Sequence, residues 1–368
     1  MKGAPSLFFA TDPLRAWFAF GLFVRSRRSL ARAEAALRRR PWLRLRRPRP
    51  HRPRGPDVHR VARHVLTFPN APEANVPSGV PVRTARPVSP AVADHGEGPV
   101  WHPSFDGVRW VDMHAGDILE LVGTDEVRRT HVGTVAAAFR PRRGGGLVLA
   151  DQRGFVLLDA DLQVERRLRD LWDDPGVRMN EGGADPAGNF WCGSMAYDER
   201  EGAGALYRLT PDLSVEKVLD GVTISNGLAF SPDSSRAYYV DTPTRKVDVF
   251  DHRDGALTGR RTAFPIADGP GFPDGLTVDA QGCVWVALFA GAAVHRYAPD
   301  GELLAVVPLP VAQVTACTFG GPALDLLYVT TSREGLDADA RAAQPLAGAL
   351  FCVDLPGVHG LPVLEFAG

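Results

Sequence analysis

One phrase recurs along this chain. A short polar turn rich in Pro, Asp and Gly ends in a large apolar residue that opens a β-rich run. The phrase ends at Trp110 (HPSFDGVRW), Leu147 (RPRRGGGL), Trp191 (DPAGNFW), Tyr239 (SPDSSRAYY), Trp285 (DAQGCVW) and Tyr328 (GGPALDLLY), at spacings of 37, 44, 48, 46 and 43 residues. In the clearest copy, Ser231-Pro232-Asp233-Ser234-Ser235 separates two apolar runs. Pro presets φ and Asp bonds its own backbone, so the pattern reads as a hairpin. A repeat of about 40–50 residues made of short strands is the signature of a propeller blade. Six anchors predict six blades. No stretch between them keeps a long 3.6-residue apolar period, so the expected fold class is all-β, a six-bladed β-propeller.

Counting back from each anchor to the preceding inner strand brings out four polar residues. Glu97 lies 13 residues before Trp110, Asn180 lies 11 before Trp191, Asn226 lies 13 before Tyr239 and Asp274 lies 11 before Trp285. Equivalent positions on innermost strands converge on the central channel. Two carboxylates and two amide carbonyls at one mouth suit a hard divalent cation such as Ca²⁺, Mg²⁺ or Mn²⁺. The competing reading makes Asn226-Gly227 and Asp274-Gly275 plain turn residues. The second blade, placed at about residues 115–160, has only Ala136 at this position, and the sixth has Cys317.

The charge is distributed unevenly. Residues 1–65 carry one Lys and sixteen Arg against three acids, a net of +14, which leaves −15 for the rest of a chain whose total is −1. The longest apolar run in this segment, Ala16–Val24, is too short to span a bilayer. Pro41, Pro48, Pro50, Pro53 and Pro56 forbid helix beyond a short basic stretch. The expectation is a basic, disordered extension or a misassigned start; nucleic-acid binding through phosphate neutralisation is the alternative. Residues 66–82 read as linker, so the domains are placed at 1–82 and 83–368. The N-terminal strand, residues 83–92, is expected to pair with the last blade and close the ring.

Arg178 and Asn180 are two apart on a strand and share a face. If that face lines the channel, Arg178 binds substrate hydroxyls or a product carboxylate; otherwise it is an exposed loop arginine paired with Glu181. Asp198, after Gly193-Ser194-Met195, is placed near the same rim. Phe272-Pro273-Asp274-Gly275 is read as a tight turn into a strand. The four cysteines form no CxxC pair, and three lie in strand-like runs as small hydrophobes. With no secretory signal evident, reduced thiols and a cytoplasmic location are expected. There is no serine nucleophile elbow, phosphate loop or dinucleotide glycine pattern. His102 and His295 lack the pairing a zinc site of histidines needs.

Five ordered stretches carry a resemblance: GEGPVW (Gly96–Trp101), RMNEGGADPAGNFWCGSM (Arg178–Met195), ISNGLAFSPD (Ile224–Asp233), PDGLTVDAQGCVWVA (Pro273–Ala287) and FGGPALDLLYVT (Phe319–Thr330). From about residue 85 onward the chain resembles the gluconolactonase, regucalcin (senescence marker protein) and luciferin-regenerating enzyme family. The resemblance implies a six-bladed propeller with one divalent metal ion on Glu97, Asn226 and Asp274, Ca²⁺ first, with Zn²⁺, Mg²⁺ or Mn²⁺ as alternatives. It implies Asn180 and Arg178 as substrate contacts, Asp198 beside them, and Asp274 as both ligand and general base. The expected activity is a metal-dependent lactonase opening a sugar lactone. The rivals are a non-enzymatic calcium-binding propeller and a metal-dependent esterase on non-sugar esters. The chain departs from the family at Glu181, where Asp is usual, and at Asp198, where Glu is common. The expected partner is a small sugar lactone, with no nucleic acid at the folded domain, no membrane, and a monomer or small homo-oligomer.

Overall fold

In this computed structural model, residues 74, 76–266 and 269–368 are described. The expectations for residues 1–65 lie outside them. The described chain forms six four-stranded antiparallel sheets, each a meander of sequence neighbours except the last. The first blade is β2 (Gly96–Val100), β3 (Arg109–Asp112), β4 (Asp117–Val122) and β5 (Glu126–His131). The second is β6 (Ala138–Pro141), β7 (Leu147–Ala150), β8 (Phe155–Leu158) and β9 (Val164–Arg167). It thus begins later than expected, because residues 117–131 complete the first blade. The third is β10 (Val177–Ala184), β11 (Phe190–Ala196), β12 (Gly204–Leu209) and β13 (Val215–Val222). The fourth is β14 (Ser225–Phe230), β15 (Arg236–Asp241), β16 (Lys246–Arg253) and β17 (Ala256–Pro265). The fifth is β18 (Phe272–Val278), β19 (Val284–Phe289), β20 (Ala293–Tyr297) and β21 (Leu303–Pro308).

The sixth blade closes the ring. It contains β22 (Val314–Gly320), β23 (Leu326–Thr331) and β24 (Phe351–Asp354), and its outermost strand is β1 (Arg86–Pro87) from the N-terminal side. The expected pairing of residues 83–92 with the last blade is therefore present. Pro81–Arg83, at the expected domain boundary, already run parallel to β21. At the other end, Phe366 is fully buried in the core of the second blade, where its backbone bonds Pro141 and Arg143. A short helix, α1 (Ala338–Ala343), lies between β23 and β24, capped by Asp337 through the backbone N–H of Ala340.

All six anchors fall on the second strand of a blade, and Trp110, Trp191, Tyr239 and Trp285 are essentially buried. Two of the turns show why the phrase ends in Trp. Asp185 accepts the indole N–H of Trp191 at 2.9 Å, and Asp279 accepts that of Trp285 at 3.0 Å. The same aspartates hold their own turns through Asn189 N and Cys283 N. An arginine of the third strand, Arg208 or Arg296, lies 5.6 Å over the same indole ring. Exposed, charged outer strands such as the VERR of β9 keep blade edges from pairing with other chains, whereas the apolar β21 is covered by Pro81–Arg83.

Five of the six innermost strands carry a bulge, and β6 does not. In β10, Asn180 and Glu181 together face one residue, Gly193; in β18, Asp274 and Gly275 face Ala287. A bulge bends its strand and re-aims side chains. Asp274 is therefore not in a tight turn; it lies within a strand at such a bulge. Gly275 is required by close approach, since a Cβ there would lie 2.5 Å from the Cβ of Ala316 on the next blade. In β22 the bulged pair is Thr315 and Ala316, not Cys317, which packs into the apolar core between blades.

Candidate active site at the channel mouth

Glu97, Arg178, Asn180, Glu181, Asn226 and Asp274 are all buried, at 3–8 % exposure, although each is polar. Burial at this cost needs partners, and Arg178, Asn180 and Asn226 supply them to one another, whereas the three carboxyl groups do not. Arg178 Nη1 donates to Asn180 Oδ1 at 2.6 Å, to Met179 O at 3.0 Å and to Met113 Sδ at 3.0 Å. The Asn180 amide nitrogen donates to Ser225 O at 2.8 Å and to Asn226 Oδ1 at 2.9 Å. Asn226 Nδ2 donates to Thr242 Oγ1 at 2.7 Å, and Thr242 Oγ1 donates to Pro273 O at 2.8 Å. This chain of bonds turns the Asn226 oxygen toward Asn180 and its nitrogen toward the next blade. Each amide oxygen already accepts one hydrogen bond, Asn180 Oδ1 from the Arg178 guanidinium and Asn226 Oδ1 from Asn180, and the charged donor makes Asn180 the poorer cation ligand of the two.

Three carboxyl groups meet here. Burial raises Glu97 to about 7, against the backbone N–H of Gly98 and the charge of Arg178, which lower it. Burial also pushes Asp274 well above the usual carboxylate range, and the charges of Glu97 and Glu181 push it further. Glu181 is raised by burial and then by Glu97, with Arg140 opposing. Glu181 Oε2 is buried with no hydrogen-bond partner, as is Arg178 Nε. Three acids crowded in low dielectric, with one orphan oxygen, resist ionising together and hold protons that a cation would displace. Glu97, Asn226 and Asp274 offer hard oxygen donors, and a divalent cation would offset the repulsion that the protein alone leaves.

Arg178 is not a loop arginine. It lies on β10, and its guanidinium stands 5.6 Å over the ring of Tyr197. Asp198, one residue further, is 60 % exposed at its side chain and bonds Arg200 at 2.9 Å.

The sequence reading passed over a second cluster beside these residues. His95 precedes β2, His114 sits in the 3-10 turn η1 (Met113–Ala115), and Glu334 follows β23. Their ligand atoms lie within 4.8 Å of one another. His95 Nε2 is 4.0 Å from Glu97 Oε1, which ties this cluster to the carboxylate group. Burial lowers His95 to about 4, leaving a neutral imidazole. Thr242 and Tyr197 directly follow the second strands of the fourth and third blades, but no repeated residue type marks that place in the sequence.

The chain matches the family model described as "SMP-30/Gluconolactonase/LRE-like region" over residues 95–333. It is 35 % identical over 279 residues to regucalcin from Danio rerio, covering 74 % of this chain and 95 % of that one. A solved calcium-binding protein, regucalcin from Agrobacterium tumefaciens, is 28 % identical with a TM-score of 0.72, covering 78 % of this chain and 99 % of that one. A solved luciferin-regenerating enzyme is 30 % identical with a TM-score of 0.69, covering 75 % and 96 %.

Proposed function

The chain belongs to the SMP-30/gluconolactonase/LRE-like family, and from that premise we propose that it hydrolyses a lactone, with sugar lactones as the substrate class. The observation that carries this reading is the buried, mutually repelling set of Glu97 and Asp274 carboxyls beside the oriented oxygen of Asn226. Glu97, Asn226 and Asp274 would hold one divalent cation, Ca²⁺ first and Zn²⁺, Mg²⁺ or Mn²⁺ as alternatives. Once bound, it supplies Lewis-acid stabilisation of a carbonyl oxyanion and lowers the pKa of water.

The protein groups do the rest. The Asp274 carboxylate takes the proton from the attacking water, as a carboxylate placed beside the bound cation can. Arg178 turns its unpartnered Nε toward the hydroxyls of the sugar or the carboxylate of the product. Asn180, fixed by Arg178 and Ser225, presents its amide to the same ring. Asp198 would be the outermost hydroxyl partner, exchanging Arg200 for the sugar.

The test is proton release from a panel of small lactones, including glucono-δ-lactone, after chelator treatment and again with each cation restored. Turnover above spontaneous hydrolysis is expected only with metal present. Asp274→Asn is expected to lose at least a hundredfold in turnover, the order of a general-base contribution, while folding normally. Near-normal turnover in a folded Asp274→Asn protein removes that assignment. A second reading, a calcium-binding propeller without turnover, is favoured by the description of the Agrobacterium relative. It predicts cation binding and silence on every lactone.

A further inference from the structure

We propose that His95, His114 and Glu334 form a second cation site at the channel mouth, selective for a borderline transition ion such as Zn²⁺ and adjacent to the oxygen site of Glu97, Asn226 and Asp274, with His95 between the two. The proposal does not depend on the lactonase reading. Its ground is the donor chemistry. Two imidazoles and one carboxylate are the three-ligand set that zinc accepts with a fourth position left open, whereas Ca²⁺ prefers all-oxygen ligands.

The geometry supports a site over a simple ion-pair cluster. His114 Nε2 is buried and stands 2.9 Å from Glu334 Oε1. His95 Nδ1 stands 3.3 Å from the other oxygen, Glu334 Oε2. The two imidazoles stack with centroids 5.0 Å apart, so both rings present edges to one carboxylate. The carboxylate is thus bracketed by the two histidines, one at each oxygen, with His95 Nδ1 also 2.8 Å from Ser332 Oγ.

Behind the three ligands is the support that metal ligands need. Ser332 is fully buried and its Oγ lies 2.8 Å from His95 Nδ1, accepts the backbone N–H of Glu334 at 2.9 Å and lies 3.3 Å from Asp94 O. The same hydroxyl holds the Glu334 backbone and the Nδ1 side of His95, which leaves His95 Nε2 as the nitrogen open to a cation. The backbone of His95 is held by Met113 N, the residue before His114. Each ligand follows or precedes a strand end, so the site rests on the rigid rim of two blades. It remains reachable, since Glu334 is 43 % exposed and His114 24 % exposed at the side chain.

The experiment uses the full-length chain stripped by chelator and saturated with Ca²⁺. Zn²⁺ is then titrated, and bound zinc per chain is measured by plasma mass spectrometry and calorimetry. Co²⁺ serves as a visible-absorption probe of imidazole ligation. The expected result is one Zn²⁺ taken up beside retained Ca²⁺, its affinity falling roughly tenfold or more in His114→Ala, with unchanged Ca²⁺ binding. Glu334→Gln is the second variant, should His114→Ala fold poorly, and is expected to weaken zinc likewise. Asp274→Asn is expected to keep its zinc. Zinc binding that survives both His114→Ala and Glu334→Gln, or that is lost in Asp274→Asn, overturns the proposal. So does the absence of zinc uptake in the Ca²⁺-saturated protein.

Discussion

Thr242 shows how much one residue outside the ligand set can decide. Its hydroxyl accepts from Asn226 Nδ2 and donates to Pro273 O, linking two of the proposed ligand strands. Without it, only the bond from Asn180 Nδ2 to Asn226 Oδ1 still orients the amide, and the Asn226 nitrogen loses its partner. Thr242→Val, which keeps the shape and removes the hydroxyl, is expected to weaken Ca²⁺ binding roughly tenfold to a hundredfold. Thr242→Ser should restore most of it. A calorimetric titration in which Thr242→Val binds Ca²⁺ like the parent would remove the orienting role. Glu97, Asn226 and Asp274 are legible in the sequence because the blade repeat puts them in register. Thr242, Tyr197 and the His95–His114–Glu334 cluster are not, because their residue types do not repeat: Met113 opens in the first blade the same three-residue turn that Thr242 opens in the fourth. Glu334 lies 239 residues from His95 and is brought to it only by ring closure.

At the scale of the element, the recurring turn carries the fold. Asp279 is fully buried and accepts from Gln281 N at 3.0 Å, Cys283 N at 2.9 Å, Trp285 Nε1 at 3.0 Å and Arg296 Nε at 2.8 Å. Removing it orphans an indole, two backbone donors and a guanidinium at once. Asp279→Ala is expected to cost about 3–5 kcal/mol, as for a broken buried ion pair, seen as a fall in Tm on the order of 10 °C. Cation content per folded chain should stay unchanged, because the turn lies away from the bulged ligands. A Tm within a degree or two of the parent would show that the turn is not the clamp described. These anchors made six blades legible from spacing alone. What spacing could not give was the bulge. It moves the equivalent position in β22 from Cys317 to Thr315, whose hydroxyl donates to Gly96 O at 2.7 Å. Offsets of 11 and 13 both occur among the other blades, and only the hydrogen-bond register separates them.

For the molecule as a whole, the site sets a conflict between stability and charge. In the cation-free chain Glu97 keeps its proton up to about pH 7, whereas its ordinary value is 4.5. Between those values the folded state binds more protons than the unfolded state, so stability falls as pH rises through this window. Glu97 alone contributes a loss on the order of 3 kcal/mol by pH 8, and the raised carboxyls of Asp274 and Glu181 act in the same direction. A cation bound only by the folded state, with these carboxylates deprotonated, opposes that loss. The rise in Tm on adding saturating Ca²⁺ should therefore be small at pH 5 and large at pH 8. Glu97→Gln should remove most of the difference, being neutral at both pH values and a poorer ligand. Scanning calorimetry of the chelated and Ca²⁺-loaded protein across this range decides the matter. A calcium-induced shift of the same size at pH 5 and pH 8 would mean that these carboxyls do not hold the ion. Growth of the shift with pH in the parent, lost in Glu97→Gln, would tie the ion to the ring's centre, where five of the six blades hold bulged inner strands together.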